Sequence, residues 1–107
     1  MKYIATFLIG ASLVTSNMAF AGQKLGAPLG DRPPEAVYAK TCGYCHGRNV
    51  GPVILGRALS PAVTSMTVRH GRNGMPAFRP TEVTNAELAA LADWIAKSKA
   101  VPTESGH

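Results

Sequence analysis

Apolar residues recur at helical spacing in three stretches of the chain, and nowhere do they alternate as a strand would require. The first stretch opens at Pro34-Glu35-Ala36, with proline in the first turn and an acid near the positive end of the dipole. It predicts a helix to about Cys42 that puts Val37 and Thr41 on one face and Tyr38 and Cys42 on the adjacent line. Ser60-Pro61 opens the second as N-cap and first helical residue. Val63, Met66, Thr67 and His70 then follow at i, i+3, i+4 and i+7, and Gly71 closes the helix. The third begins with Thr84-Asn85-Ala86-Glu87, a capping box. Its stripe is Leu88, Leu91, Ala92 and Ile95, with Trp94 beside it. Residues 47–56 read as loop, with a turn at Gly51-Pro52 and a short buried run, Val53-Ile54-Leu55. The expected fold is all-α, about three helices.

The two ends carry different signals. Lys2, an apolar run from Ile4 to Val14, and Ala19-Phe20-Ala21 predict a signal peptide over residues 1–21, cleaved after Ala21. The run is too short to span a bilayer, so no membrane anchor is expected in the mature form. Residues 22–33, rich in glycine and proline, read as an extended leader, 34–99 as the folded domain and 100–107 as a flexible polar tail. A domain this small has a thin core and often needs a staple.

Both cysteines of the chain fall within Cys42-Gly43-Tyr44-Cys45-His46. C-x-x-C-H is the attachment pattern for haem c. Two cysteines three apart at a helix end can bond the two vinyl groups on one porphyrin edge, and the following histidine then supplies an axial nitrogen to the iron. Other readings of these residues lack support. A redox dithiol wants a βαβ setting, a structural zinc needs four ligands, and a plain disulfide leaves His46 idle. One covalent haem is expected, which also supplies the missing staple and implies a poorly folded apoprotein. The export signal makes the periplasm the expected location, in agreement with the attachment of haem outside the cytoplasm that the family resemblance below implies.

The second axial position has four candidates in the mature chain: Met66, Met75, His70 and His107. Met66 lies mid-helix at core spacing, His70 near a helix end, and His107 at the terminus. Met75 sits in a loop between helices, freed by Gly74 and stiffened by Pro76, and is the expected ligand. A His46/Met75 pair raises the reduction potential relative to two histidines, and a closed iron favours electron transfer over substrate chemistry.

The formal net charge of +5 is unevenly spread. Every acid lies outside the segment from Ala36 to Thr81, which holds Lys40, Arg48, Arg57, Arg69, Arg72 and Arg79. Some of these are expected to neutralise the haem propionates, with Arg57 the candidate retained as cofactor-binding. The rest would steer an acidic partner. Nucleic-acid binding is not expected, because stacking aromatics are few. No catalytic triad or paired-carboxylate site is present, so the protein is not expected to be an enzyme in its own right.

Taken in order, the helix with Tyr38 and Cys42, the C-x-x-C-H run, Gly51-Pro52, Met75-Pro76 and a final helix with Trp94 resemble a small class I cytochrome c. The resemblance implies that the Pro52 carbonyl holds His46 and that the first and last helices cross near Trp94. Residues 51–59 and 68–78 resemble more narrowly the cytochrome subunits of p-cresol methylhydroxylase-type flavocytochromes, with His70 standing where asparagine is usual. That family implies a flavoprotein dehydrogenase partner oxidising para-alkylphenols, and a downstream redox protein as acceptor. The alternatives are a free soluble carrier and, with an open iron, a haem enzyme or ligand sensor.

Overall fold

The computed structural model describes residues 30–106. The expected signal peptide, the leader up to residue 29 and His107 lie outside the described residues. Three α-helices follow in order: α1 (Pro34–Lys40), α2 (Pro61–His70) and α3 (Asn85–Lys97). Among the described residues there are isolated β-bridges but no strand. No described helix is long and apolar enough to cross a membrane.

Helix α3 is the pillar of the fold and packs on both α1 and α2. Thr84 Oγ1 accepts from the Glu87 N–H at 3.0 Å, and Glu87 Oε2 accepts from the Thr84 N–H at 3.1 Å, which completes the expected capping box. Leu88, Leu91, Ala92 and Ile95 are all buried, as their spacing predicts. They meet Val37 and Tyr38 of α1, Val68 of α2, and the loop residues Leu55 and Val83. The Tyr38 and Trp94 rings lie 5.4 Å apart where α1 meets α3.

Three expectations need correction. Helix α1 stops at Lys40, and the cysteines sit on a separate 3-10 turn, Cys42–Tyr44, because Thr41 leaves helical geometry at φ −128°. The buried face of α2 is displaced by one residue from the predicted stripe. Thr64 and Val68 are buried while Met66 is 60 % exposed, and Ser60 makes no side-chain cap. Val63 and Thr67 of the predicted stripe do face the cavity, but Thr64 and Val68 lie beside them there in place of Met66 and His70. Finally, the segment read as a free tail folds back over the domain, with Ser105 paired to Gly47 and Asn49.

Arg32, at the end of the expected leader, clamps the start of α3. Its Nε and Nη2 donate to the two Glu87 carboxylate oxygens at 2.8 and 2.9 Å, and its backbone N–H adds a third bond. Glu87 is 4 % exposed. The Arg32 guanidinium holds its carboxyl down at about 2, aided by the Thr84 N–H and opposed by burial. A carboxyl depressed in the fold contributes stability above its ordinary value near 4.5, and that contribution is lost as pH falls through about 2. Glu87→Gln is expected to lower the thermal midpoint at pH 7 and to flatten its fall between pH 5 and pH 2. Calorimetry across that window checks this.

Candidate functional site

One apolar cavity of about 260 Å³ runs between the 3-10 turn, the 47–56 loop, α2, the Met75 loop and α3. Its inner wall is the core itself: Val68, Val83, Leu91 and Ile95 are buried and also line the cavity. Cys42, Cys45, His46, Pro52 and Met75 all line it too. Five of the six residues singled out from the sequence thus share one cavity. The sixth, Arg57, is exposed between left-handed Gly56 and Ala58 and does not line it.

The cysteine end is built locally. The Cys45 and His46 N–H groups both donate to the Cys42 carbonyl, at 3.1 and 3.0 Å, so the 3-10 turn carries the residues to the cavity as one unit. His46 Nδ1 lies 2.7 Å from the Pro52 carbonyl. With Nδ1 donating there, Nε2 is the ring nitrogen left with a lone pair for a metal. A Cβ on Gly51 would lie 3.3 Å from His46 Nδ1, so the loop passes the ring closely and glycine suits it.

Burial pushes the Cys42 thiol up to about 11. A redox dithiol needs its thiol depressed instead, so this pair is poorly suited to exchange chemistry. Among the described residues, no three His, Cys, Asp or Glu side chains are grouped to hold a metal ion.

The opposite wall depends on a tight turn. The Arg72 N–H donates to the Met75 carbonyl at 3.0 Å and the Met75 N–H to the Arg72 carbonyl at 2.9 Å. The left-handed step of this turn falls on Asn73, at φ 51°, not on Gly74, whose surroundings are open. Gly71 matters more. It turns left-handed at φ 72°, and a Cβ there would come within 2.6 Å of the Met75 carbonyl oxygen. Phe78 N–H then donates to the Val68 carbonyl at 2.8 Å, tying the loop to α2.

Arg69, read from the sequence as a propionate or steering charge, has a different task. Its Nη1 donates to the Phe78 and Val83 carbonyls at 3.1 and 2.9 Å, and its Nη2 to Asn85 Oδ1 at 2.7 Å. It staples the far end of the Met75 loop to the start of α3. Met66 and His70 do not line the cavity, and His70 Nδ1 turns back to the Met66 carbonyl at 2.9 Å.

The donor set fits haem. Thiols, an imidazole and a thioether are soft or borderline ligands, and the remaining walls are apolar. Thr64 Oγ1, on a wall-lining residue 9 % exposed, is buried with no hydrogen-bond partner among the described residues. A polar substituent of a bound macrocycle would give it one.

Comparison with known proteins agrees. Residues 30–95 match the family model described as Cytochrome C oxidase, cbb3-type, subunit III. The cytochrome c subunit of 4-cresol dehydrogenase (hydroxylating) from Pseudomonas putida is 39 % identical over 61 residues, covering 55 % of this chain and 54 % of that relative. The chain thus spans about half the length of the curated relative. The crystal structure of p-cresol methylhydroxylase with substrate bound matches with TM-score 0.59 and 36 % identity, over 63 % of this chain and 93 % of the matched chain. A second crystal structure of p-cresol methylhydroxylase gives TM-score 0.57 over 61 % and 92 %. With its C-x-x-C-H turn, His46 and Met75 on one apolar cavity, the chain belongs to this family of c-type cytochromes.

Proposed function

We propose that this protein is a periplasmic cytochrome carrying one covalently bound haem, and that it accepts electrons from a flavoprotein subunit that oxidises a para-alkylphenol. The observation that carries the reading is the single cavity shared by Cys42, Cys45, His46 and Met75, with His46 held by the Pro52 carbonyl. The substrate class and the flavoprotein come from the 4-cresol dehydrogenase relative, and the location from the signal-peptide pattern at residues 1–21.

In this reading Cys42 and Cys45 would tether the haem, and His46 Nε2 and the Met75 sulfur would ligate its iron. The haem supplies reversible one-electron chemistry. The chain's own residues keep that chemistry clean. Apolar walls exclude water, the Pro52 carbonyl fixes the imidazole, and the staple from Arg69 holds the Met75 loop in register. A rigid ligand set changes little between oxidation states, which favours fast electron exchange.

The partner meets the cavity mouth. Val50 lines the cavity and is 67 % exposed, and Tyr44 on the neighbouring turn is 62 % exposed. The Arg48 guanidinium lies 5.8 Å from the Tyr44 ring centroid, and Arg72 is exposed nearby in sequence to Met75. Apolar contact at Val50 would bring the haem close to the flavin, while the arginines orient an acidic partner.

Stopped-flow mixing of a phenol with the co-purified complex is expected to reduce the haem through the flavin. Val50→Glu is expected to weaken docking at any salt concentration. Arg48→Gln slows association mainly at low salt. Efficient reduction by unrelated small donors, with no flavoprotein bound, would leave the free soluble carrier as the better account.

A further inference from the structure

The family match ends at Ile95, but the chain does not leave the domain there. Just past α3, Ser98 Oγ accepts from the Gly56 N–H at 3.0 Å and donates to the Ile95 carbonyl at 2.6 Å. Ala100 packs so tightly on Gly56 that a Cβ on that glycine would come within 2.4 Å of the Ala100 nitrogen. Further on, Glu104 Oε1 accepts from the Tyr38 hydroxyl at 2.8 Å. The same side chain fills the space over Gly47, where a Cβ would lie 2.6 Å from Glu104 Cδ. Ser105 takes a bond from the Asn49 N–H at 2.8 Å and gives one to the Gly47 carbonyl at 3.1 Å. Gly106 completes the line: a Cβ there would fall 2.6 Å from both the Gly51 oxygen and the Val53 nitrogen.

Every one of these contacts except the Ile95 and Tyr38 bonds falls on the 47–56 loop, and Gly51 and Val53 flank Pro52 on both sides. Pro52 is the residue whose carbonyl holds His46, and the Gly51 N–H donates to the Cys45 carbonyl at 3.0 Å. We propose that residues 98–106 form a strap that positions His46 by clamping this loop, with Glu104 as its pin. The inference rests on the reading of His46 as an axial ligand.

The pin is costly. Glu104 Oε2 is buried without a hydrogen-bond partner among the described residues, an arrangement that costs stability. Tyr38 is suited to hold it. Burial, then the bond to Glu104, pushes the phenol above its ordinary range, so the hydroxyl stays a donor at neutral pH. A carbonyl bonded to an axial imidazole sets its orientation and basicity, so slack in the loop is transmitted to the iron.

The test compares holoprotein variants by two measurements, amide hydrogen exchange in residues 47–56 and the reduction potential. Tyr38→Phe keeps the ring against Trp94 but removes the donor, and Glu104→Ala removes the pin. Both are expected to speed exchange at Asn49 and Gly51 about tenfold and to shift the potential, while α2 exchanges as before. Glu104→Gln keeps an oxygen for the tyrosine hydroxyl and is expected to restore slow exchange. Unchanged exchange in the loop overturns the strap. Faster exchange with an unmoved potential overturns its link to His46. Absence of bound haem in the parent chain overturns instead the cytochrome reading on which the link to His46 rests.

Discussion

With Cys42 and Cys45 both changed to alanine, haem is expected to leave the polypeptide completely under denaturing conditions, and most of the folded population to be lost with it. The first outcome follows from the proposed thioether tethers, which noncovalent ligation by His46 and Met75 would not replace in a denaturant. The second follows from where the cavity lies. Val68, Val83, Leu91 and Ile95 form both the core and the cavity wall, so an unfilled cavity is a core with its centre missing. At about 24 cal/mol per Å³, an enclosed cavity of 260 Å³ would cost about 6 kcal/mol, an upper bound here because the mouth at Val50 is open to water. Domains of this size are stable by about 5–15 kcal/mol in all, so the loss takes a large share of the total. Haem staining after denaturing electrophoresis and circular dichroism on heating measure the two effects. Colour retained on the protein band of the double variant would place the attachment elsewhere.

Met75→Ala is expected to abolish the weak far-red absorption of the ferric protein and to lower the potential by roughly 0.1 V or more, within the ~0.8 V that axial ligands span. Loss of the thioether removes the ligand that favours ferrous iron. It also opens a coordination position, so the reduced variant is expected to bind carbon monoxide where the parent does not. Met66→Ala is the control. Met66 is 60 % exposed on α2 and does not line the cavity, so its removal is expected to leave the absorption and the potential in place. The reverse pattern would exchange the roles of the two methionines.

What was legible in the chain before folding was whatever short segments specify among themselves. The C-x-x-C-H turn occupies five consecutive residues, and its hydrogen bonds run from Cys45 and His46 back to Cys42. The capping box of α3 spans four residues, and the stripe above it repeats every helical turn. Met75 was separable from Met66 because a loop between helices can approach a cofactor from outside the core, whereas a mid-helix methionine is bound to its helix's face. For the turn and the helix the partners are neighbours in sequence, so spacing and residue type carry the geometry.

The rest required distant residues to meet. Arg32 and Glu87 lie 55 positions apart, and Tyr38 and Glu104 lie 66 apart. No local pattern marks either pair. Arg69 reads as one more surface charge until its three acceptors, two of them backbone carbonyls, converge on it. On α2 the predicted stripe was half right: Val63 and Thr67 face the cavity, while Thr64 and Val68 take the places expected for Met66 and His70. The polar composition of residues 100–107 argued for a loose tail, yet backbone amides and a single carboxylate suffice to bind it across the histidine loop. Hydrophobic periodicity reports which side of an element leaves water. Which polar groups find each other depends on the path of the whole chain, because a hydrogen bond needs its donor and acceptor within about 3 Å and sequence distance places no limit on that.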